Sequence, residues 1–364
     1  MLTNPIFVIG HPRSGTSLVR SLLERADDVW TIGREGKPIW EHNRLVELHP
    51  RTRGWQSNAL DAEDATDELR ASLTSSLLDA ARRPGQEWSI DDKVSFLRFM
   101  AAQGVNPYYY DLPVRALLEA FGEMPPEGPP TTADGEELDE ITPFCFPPRG
   151  ARPTQAELTQ GIRLIEKSIQ SCFRVPFLRA MFSDAKYVFV VRDPKASIAS
   201  LMDAWLHPRM FFSYKVPCQL RIRGYSDVFP WGRQWWNLSL PPGWRDLTDL
   251  RLEELCAENW RIHNEAVLAA FRQLEPTGNA VLVRYEDVSA EPARVMEQVA
   301  ATTELPFAAA WRERSLPVVM TQTPPNPDKW RRHEREIHGV LPGVSSLAGE
   351  FGYETEVVRS TCVP

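Results

Sequence analysis

Several features that would place a protein in a specialised class are absent from this sequence of 364 residues. Its five cysteines are widely spaced and form no CxxC pair, so neither a disulfide framework nor a zinc site is indicated. No stretch approaches the roughly 18 apolar residues of a membrane-spanning helix. The first residues (MLTNP) lack the basic and apolar regions of a signal peptide. We therefore expect a cytoplasmic protein without a metal or a membrane partner.

An excess of basic residues is also missing. Lys and Arg together number 41 against 49 Asp and Glu, which gives a formal net charge of -8. Nucleic acids and anionic membranes are bound by basic surfaces, so we expect neither as a partner. The apolar fraction of 43% is ample for a buried core. Any site for an anion must therefore be a local cluster of basic side chains.

Short apolar runs that alternate with turns and helical patterns predict the fold. The runs cover residues 6–10, 186–191 and 280–284, and helical patterns cover residues 17–25 and 195–205. Strands that are apolar throughout and alternate with helices are typical of a parallel sheet covered on both faces. We expect a single domain over residues 1–364 of the α/β class, with a P-loop-like three-layer α/β/α arrangement around a mainly parallel central sheet.

Two stretches of different composition are predicted to be helical or irregular insertions on this scaffold. The first, about residues 51–159, contains a helical segment over 62–82 and a loop rich in proline, glycine and acid over 124–133, which we expect to be mobile. The second, about residues 207–250, is rich in aromatic side chains. We expect both insertions to form the part of the functional site that binds the acceptor substrate. A small core of their own is the alternative interpretation of the aromatics.

Residues 11–17 (HPRSGTS) form the first candidate site. They lie between a strand and a helix, where backbone N–H groups and the helix dipole can bind a phosphate. The lysine of the GK[ST] motif, which reaches the phosphates of a nucleoside triphosphate, is absent, and Arg13 stands early in the loop instead. This pattern favours a phosphorylated group donor other than ATP or GTP.

The segment PRSGTS resembles the 5′-phosphosulfate loop of sulfotransferases that use 3′-phosphoadenosine 5′-phosphosulfate (PAPS), although threonine is usual where this chain has Ser17. The segment VVRDP, with Ser200 eight residues after Arg192, resembles the 3′-phosphate site of that family. Tyr285 (in YED) and Lys329 (in KWR) resemble further nucleotide contacts of the family. The resemblance implies that PAPS and its product 3′-phosphoadenosine 5′-phosphate (PAP) are bound by Arg13, Ser14, Gly15, Thr16, Ser17, Arg192, Ser200, Tyr285 and Lys329.

Sulfuryl transfer to a hydroxyl also needs a base that takes the proton of the acceptor. In related bacterial and tyrosylprotein-type sulfotransferases a Gly-acid motif after the first helix carries the catalytic glutamate, and residues 31–37 (TIGREGK) resemble it. Glu35 is therefore the first candidate. Glu41, His42 and His207 stay open as alternatives.

The leaving phosphate needs a positive charge. Lys167, in the run LIEKS, resembles the family's lysine upstream of the 3′-phosphate strand, and Arg13 would complete the cationic clamp. Lys93 is the alternative to Lys167. It stands in the run IDDK, a similar strand end in which a lysine follows acidic residues, but it lies farther upstream of Arg192 than is usual in the family.

These observations together predict the function. The resemblance implies a PAPS-dependent sulfotransferase that acts on a hydroxyl or phenol of a small molecule or natural product, with a glycan as the next choice of acceptor. The donor is already activated, so no metal is required. An ATP-dependent P-loop kinase is a second interpretation, and a non-catalytic nucleotide-binding protein is a third. The sequence leaves the oligomeric state open.

Overall fold

The computed structural model of the protein describes residues 1–41, 48–85, 88–102, 112–123, 127–129, 140–141, 149–208, 213–312, 316–317, 319 and 323–355. Within these ranges the strands are β1 (Ile6–Ile9), β2 (Trp30–Glu35), β3 (Glu140–Ile141), β4 (Leu164–Lys167), β5 (Lys186–Val191), β6 (Ser213–Lys215), β7 (Trp235–Asn237) and β8 (Ala280–Arg284).

The α-helices of the described residues surround these strands. They are α1 (Thr16–Leu23), α2 (Lys37–Glu41), α3 (Asp67–Ala80), α4 (Ile90–Ala102), α5 (Leu112–Ala120), α6 (Gln155–Gln160), α7 (Val175–Met181), α8 (Pro194–Trp205), α9 (Leu252–Leu274), α10 (Tyr285–Ala290), α11 (Pro292–Thr303) and α12 (Glu334–Glu350). Short 3-10 helices cover Ala62–Asp64, Ile169–Phe173, Pro230–Arg233, Trp244–Leu247, Glu275–Thr277, Ala309–Arg312 and Pro327–His333.

A five-stranded sheet lies at the centre, with the order β2-β4-β1-β5-β8. Every neighbouring pair in it is parallel. All residues of β1, β4 and β5 are buried, as expected for strands covered on both faces. Because the strands are parallel, the residues that follow them meet at one end of the sheet, which we call its carboxyl end.

Alternate residues of the central strands supply two cores, one on each face of the sheet. Phe7 and Phe189 pack in a large core with residues of α7, α8, α9 and α12. Val8 and Val188 pack in a smaller core with residues of α1 and α11. The three-layer α/β fold predicted from the sequence is confirmed, and two of the predicted strands, Lys186–Val191 and Ala280–Arg284, have the expected bounds.

The first insertion differs in part from its prediction. The expected helical segment becomes a 3-10 turn (Ala62–Asp64) followed by α3, whose three buried leucines pack in the large core. Lys93 was expected at a strand end, and this is wrong, because it lies in the first turn of α4. Ser89 and the acids that follow it suit a helix start, and these signals prevail over the strand pattern. The predicted loop 124–133 lies largely outside the described residues.

The second insertion contributes β6 and β7 to a small antiparallel sheet with β3. Its large aromatics are mostly buried: Tyr214, Tyr225, Trp235, Trp236 and Trp244 are fully enclosed in the same large core as the central sheet. Phe211 and Phe212 lie outside the described residues. In the part of the chain that the structure describes, no helix is both long and apolar enough to cross a membrane.

Candidate functional site at the carboxyl end of the sheet

The loop between β1 and α1 begins the site. Gly15 caps α1 with a φ of 98°, and a side chain at this position would collide with the ring of Tyr285. Only glycine adopts this backbone without strain. Thr16 and Ser17 form the first turn of α1, so their backbone N–H groups lack partners within the helix. The Ser14 hydroxyl is buried and has no hydrogen-bond partner among the described residues.

Arg13 and Ser200 meet across the start of this loop, although 187 positions separate them. Arg13 has a φ of 72°, a conformation that few residues other than glycine adopt. Its Nε donates to Ser200 Oγ at 3.1 Å. The helix α8 thus brings Ser200 to the phosphate loop, as the spacing of Arg192 and Ser200 predicts.

Arg192 follows β5 and lies on the other side of Arg13. Its Nη1 donates to the backbone oxygen of Arg13 at 3.0 Å, and its guanidinium lies 4.5 Å from the ring centre of Tyr285. The Arg192 Nε is buried without a partner among the described residues. Arg13, Arg192, Ser200 and Tyr285 therefore form one contiguous cluster around the loop.

Lys329 approaches the cluster from the 3-10 helix Pro327–His333. Burial lowers the pKa of its ammonium group, Asp203 opposes this shift, and the charges of Arg332, Arg13 and Arg192 lower it further. The ammonium group donates to Thr323 Oγ1 and lies 3.8 Å from Asp203 Oδ2. Eight of the nine residues that the resemblance assigns to donor binding thus lie at the loop, in the first turn of α1 or in this cluster, and Lys329 lies close enough for the charges of Arg13 and Arg192 to act on it.

His11 connects the start of the loop to α8. Apart from its position next to the loop, the sequence gives no sign of this role. Its Nδ1 lies 2.6 Å from Pro12 O, and its Nε2 lies 3.2 Å from Ser197 Oγ on α8. Burial, followed by the charge of His263, lowers the pKa of His11 to about 3. The ring is therefore neutral at physiological pH and links the loop to α8 as a fixed part of the structure.

Glu35 and Lys167 end the neighbouring strands β2 and β4. A bulge in β2 places Glu35 opposite Lys167 in the register, and the two side chains form a buried ion pair through Glu35 Oε1. Glu35 is 5% exposed and Lys167 is 3% exposed, so neither is the solvated surface residue that its sequence neighbours would also allow. The second oxygen, Glu35 Oε2, is buried and has no partner among the described residues.

The pair lies beside the phosphate loop, because Lys167 is in register with Val8 of β1. Burial lowers the pKa of Lys167 well below its usual range, and the charges of Arg20 and Arg13 lower it further. Arg20 was not predicted, although its position one turn after Thr16 on α1 is a weak signal. The arrangement places a buried carboxylate–lysine pair next to the basic side chains of the loop.

Glu166 directly precedes Lys167 on β4. It is buried, and its Oε1 accepts a hydrogen bond from Trp40 Nε1 at 3.1 Å. Its Oε1 also packs so closely on Gly36 that no side chain would fit there. Burial raises the pKa of Glu166 to about 7, although Trp40, Arg174 and Arg20 favour its charged form.

The alternative bases are placed differently. Glu41 is fully buried, and donors surround its carboxylate: Lys37 Nζ at 3.0 Å, Arg174 Nη2 at 2.7 Å, Asn58 Nδ2 at 2.9 Å and the Tyr214 hydroxyl at 3.0 Å. Burial opposes its ionisation, but Lys37 and Arg174 lower its pKa to about 2, which makes it a weak base. His42 lies outside the described residues, and His207 follows the end of α8. No group of His, Cys, Asp and Glu in the described ranges could hold a metal ion.

A glycine-containing strand-loop-helix turn, with basic side chains converging on it at the carboxyl end of a parallel sheet, is typical of α/β proteins that bind phosphorylated ligands. A sequence profile described as the sulfotransferase family matches residues 5–235, more than half of the chain. The protein belongs to this family, and sulfotransfer is the activity that the membership supports. No curated protein sequence matches the chain detectably.

The chain is also similar to several solved structures. A sulfotransferase domain from the curacin biosynthetic pathway is 15% identical, with 97% of this chain and 99% of that chain covered and a TM-score of 0.42. A sulfotransferase domain from the olefin synthase of Synechococcus PCC 7002 is 16% identical, with 97% and 96% covered and a TM-score of 0.40. A sulfotransferase from Mycobacterium avium is 15% identical, with 97% and 78% covered and a TM-score of 0.40.

Proposed function

We propose that the protein transfers a sulfuryl group from PAPS to a hydroxyl or phenol of a small-molecule acceptor, with Glu35 as the base. The observation that carries this proposal is the buried Glu35–Lys167 pair at the ends of adjacent strands, one strand away from the phosphate loop. A base and a cation are thus fixed beside the place where a phosphosulfate would lie. Such positioning is what an in-line displacement requires.

The residues around the loop fit the donor. The buried Ser14 hydroxyl and Arg192 Nε lack partners among the described residues, and a phosphate oxygen would satisfy both. In this proposal, the first turn of α1 with Arg13 binds the 5′-phosphosulfate, whereas Arg192 and Ser200 bind the 3′-phosphate. Tyr285 and Lys329 add contacts to the nucleotide. When bound, PAPS supplies an activated sulfuryl group, so the transfer needs no metal.

In this proposal, Glu35 and Lys167 have separate roles in the reaction. Because Lys167 occupies Glu35 Oε1, the second oxygen Oε2 is left to accept the proton of the acceptor hydroxyl. Lys167, whose pKa burial lowers, can stabilise or protonate the phosphate oxygen that leaves when the S–O bond breaks. Arg13 adds a fixed positive charge on the same side.

The second insertion supports the acceptor side of the proposal. Tyr214 of β6 donates a hydrogen bond to Glu41, which lies at the end of the short helix that follows Glu35. The insertion therefore packs against the part of the site that carries the base. The aromatic side chains of this insertion that the structure describes are mostly buried. We therefore propose that they determine the shape of the acceptor side through their packing. A glycan stays the second choice of acceptor.

The test is turnover with PAPS and a panel of phenols, aliphatic alcohols and sugars, measured by mass spectrometry of the sulfated product. For Glu35→Gln we expect PAP affinity close to that of the wild type and turnover reduced at least about 100-fold, because a base acts only in the reaction. Glu258→Gln, which makes the same change in a surface ion pair with Arg261, should leave both unchanged. Full turnover of Glu35→Gln would assign the base to another residue.

A further inference from the structure

Asp203 is an acidic residue on the face of α8 that carries the donor site. It lies three residues after Ser200, so the two side chains share one face of the helix. Ser200 itself accepts the hydrogen bond from Arg13. A carboxylate in this place repels an anionic ligand, so its presence calls for an explanation.

Among the described residues, the ion pairs of Asp203 are all with basic side chains of one segment. Lys329 Nζ lies 3.8 Å from its Oδ2, His333 Nε2 lies 3.1 Å from its Oδ1, and Arg332 donates to Oδ2. We call residues 329–333 (KWRRH) the basic segment. The Asp203 side chain is only 17% exposed, so solvent screens these contacts incompletely.

A second contact docks the same segment on α8. Lys195, in the first turn of α8, has its ammonium group 5.7 Å from the ring centre of Trp330. The segment is therefore attached at two points along the helix, and Asp203 is the attachment closer to Ser200 in the sequence.

The basic segment adds positive charge to a region that already holds two arginines. Burial, and after it the charges of Arg332, Arg13 and Arg192, disfavour the charged form of Lys329, whereas Asp203 favours it. Like charges repel one another, so the segment needs a counter-charge to stay beside the loop. Asp203 provides that counter-charge for Lys329 and Arg332, whereas Asp328 and Glu334 form ion pairs with Arg331.

We propose that Asp203 is a positioning residue of the donor site: it holds Lys329 and the basic segment against α8, beside Arg13 and Arg192, where they can attract a phosphorylated donor. This inference rests on the proposed function, since it takes PAP as the ligand of the cluster. Asp203 would not touch the ligand. Its own charge opposes binding, and it favours binding only through the cations that it positions.

The variant Asp203→Asn distinguishes the effect of the Asp203 charge from its positioning effect, because the two effects change PAP binding in opposite directions. If the carboxylate acted only through its charge, its removal would strengthen PAP binding. If it positions the basic segment, its removal weakens PAP binding, and we expect about a tenfold loss, the size of a few partly exposed ion pairs. In a Lys329→Met background most of this loss should disappear, because Lys329 is the cation of the segment on which the charges of Arg13 and Arg192 act and which we expect to reach the ligand.

The experiment is calorimetric titration with PAP of the wild type, the two single variants and the double variant, each checked for folding by its melting temperature. Asp184→Asn is the charge-matched control at the amino end of β5, where Asn4 N donates to Asp184. We expect it to bind PAP normally. Asp203→Glu keeps the charge and should restore most of the affinity even if Asp203→Asn folds poorly.

The outcomes distinguish the inference from the function on which it rests. Wild-type binding of PAP together with unchanged or tighter binding by Asp203→Asn would overturn the inference alone. An equal loss for Asp203→Asn with and without Lys329 would also overturn it. If the wild type fails to bind PAP, the proposed function falls, and the inference falls with it.

Discussion

At the scale of single residues, the buried carboxyl group of Glu166 should make the stability of the protein depend on pH. Its pKa is raised from 4.5 to about 7 in the folded protein, with burial as the main cause. The folded state therefore binds more protons than the unfolded state between these values. The stability from this group is fully present below pH 4.5 and is lost as the pH rises to about 7.

Glu166→Gln removes this titration and keeps an oxygen that can accept from Trp40. Relative to the wild type, the free energy of unfolding of the variant should rise by about 2 kcal/mol between pH 5 and pH 8. Urea unfolding at a series of pH values measures this. Glu157→Gln is the control, because hydrogen bonds from Thr154 and then Arg83 lower the pKa of Glu157 to about 2, below this range. A flat difference for Glu166→Gln would mean that Glu166 is ionised in the folded protein.

At the scale of elements, the unit of β1, loop and α1 depends on the backbone of Gly15. Gly15→Ala would force an L-residue into a φ of 98° and push its side chain into Tyr285. The backbone strain alone costs about 1–2 kcal/mol. We expect lower stability and at least about tenfold weaker PAP binding, measured by melting and calorimetry, because the loop must shift.

Gly278→Ala is the matched control for this substitution. Gly278 has a φ of 71°, but a side chain there meets nothing within 4 Å. It precedes β8, at the end of the sheet opposite the loop. This variant should lose stability through the same backbone strain and bind PAP normally. If Gly15→Ala also binds PAP normally, the loop does not hold the phosphate.

Much of the fold was predictable at this scale. The central strands are short, apolar throughout and bounded by turn residues, and buried parallel strands have this pattern. The run around Lys93 was misread because its strand-like character extends over only a few residues, whereas α4 runs from Ile90 to Ala102. β6 and β7 have three residues each and belong to a sheet that tertiary packing decides, so no local pattern predicts them.

At the scale of the whole molecule, the parallel sheet is what assembles the site. Glu35 and Lys167 are 132 positions apart, and Arg13 and Ser200 are 187 apart, yet each pair is in contact. The motifs predicted which residues lie together around the loop, because loop and helix geometry is local. They could not predict the burial of Glu166 or the contacts of Asp203, because these depend on which elements pack together.

The proposed function requires this carboxyl end of the sheet to be a site for a 3′-phosphorylated adenosine nucleotide. Calorimetric titration of the wild type and Arg192→Ala with PAP, AMP and Mg·ATP tests it most directly. We expect micromolar or tighter binding of PAP by the wild type, in preference to AMP and Mg·ATP. For Arg192→Ala we expect at least about a tenfold loss for PAP and little change for AMP, since a charged hydrogen bond to the 3′-phosphate is removed. Preference for Mg·ATP, or an equal loss for PAP and AMP, would contradict it.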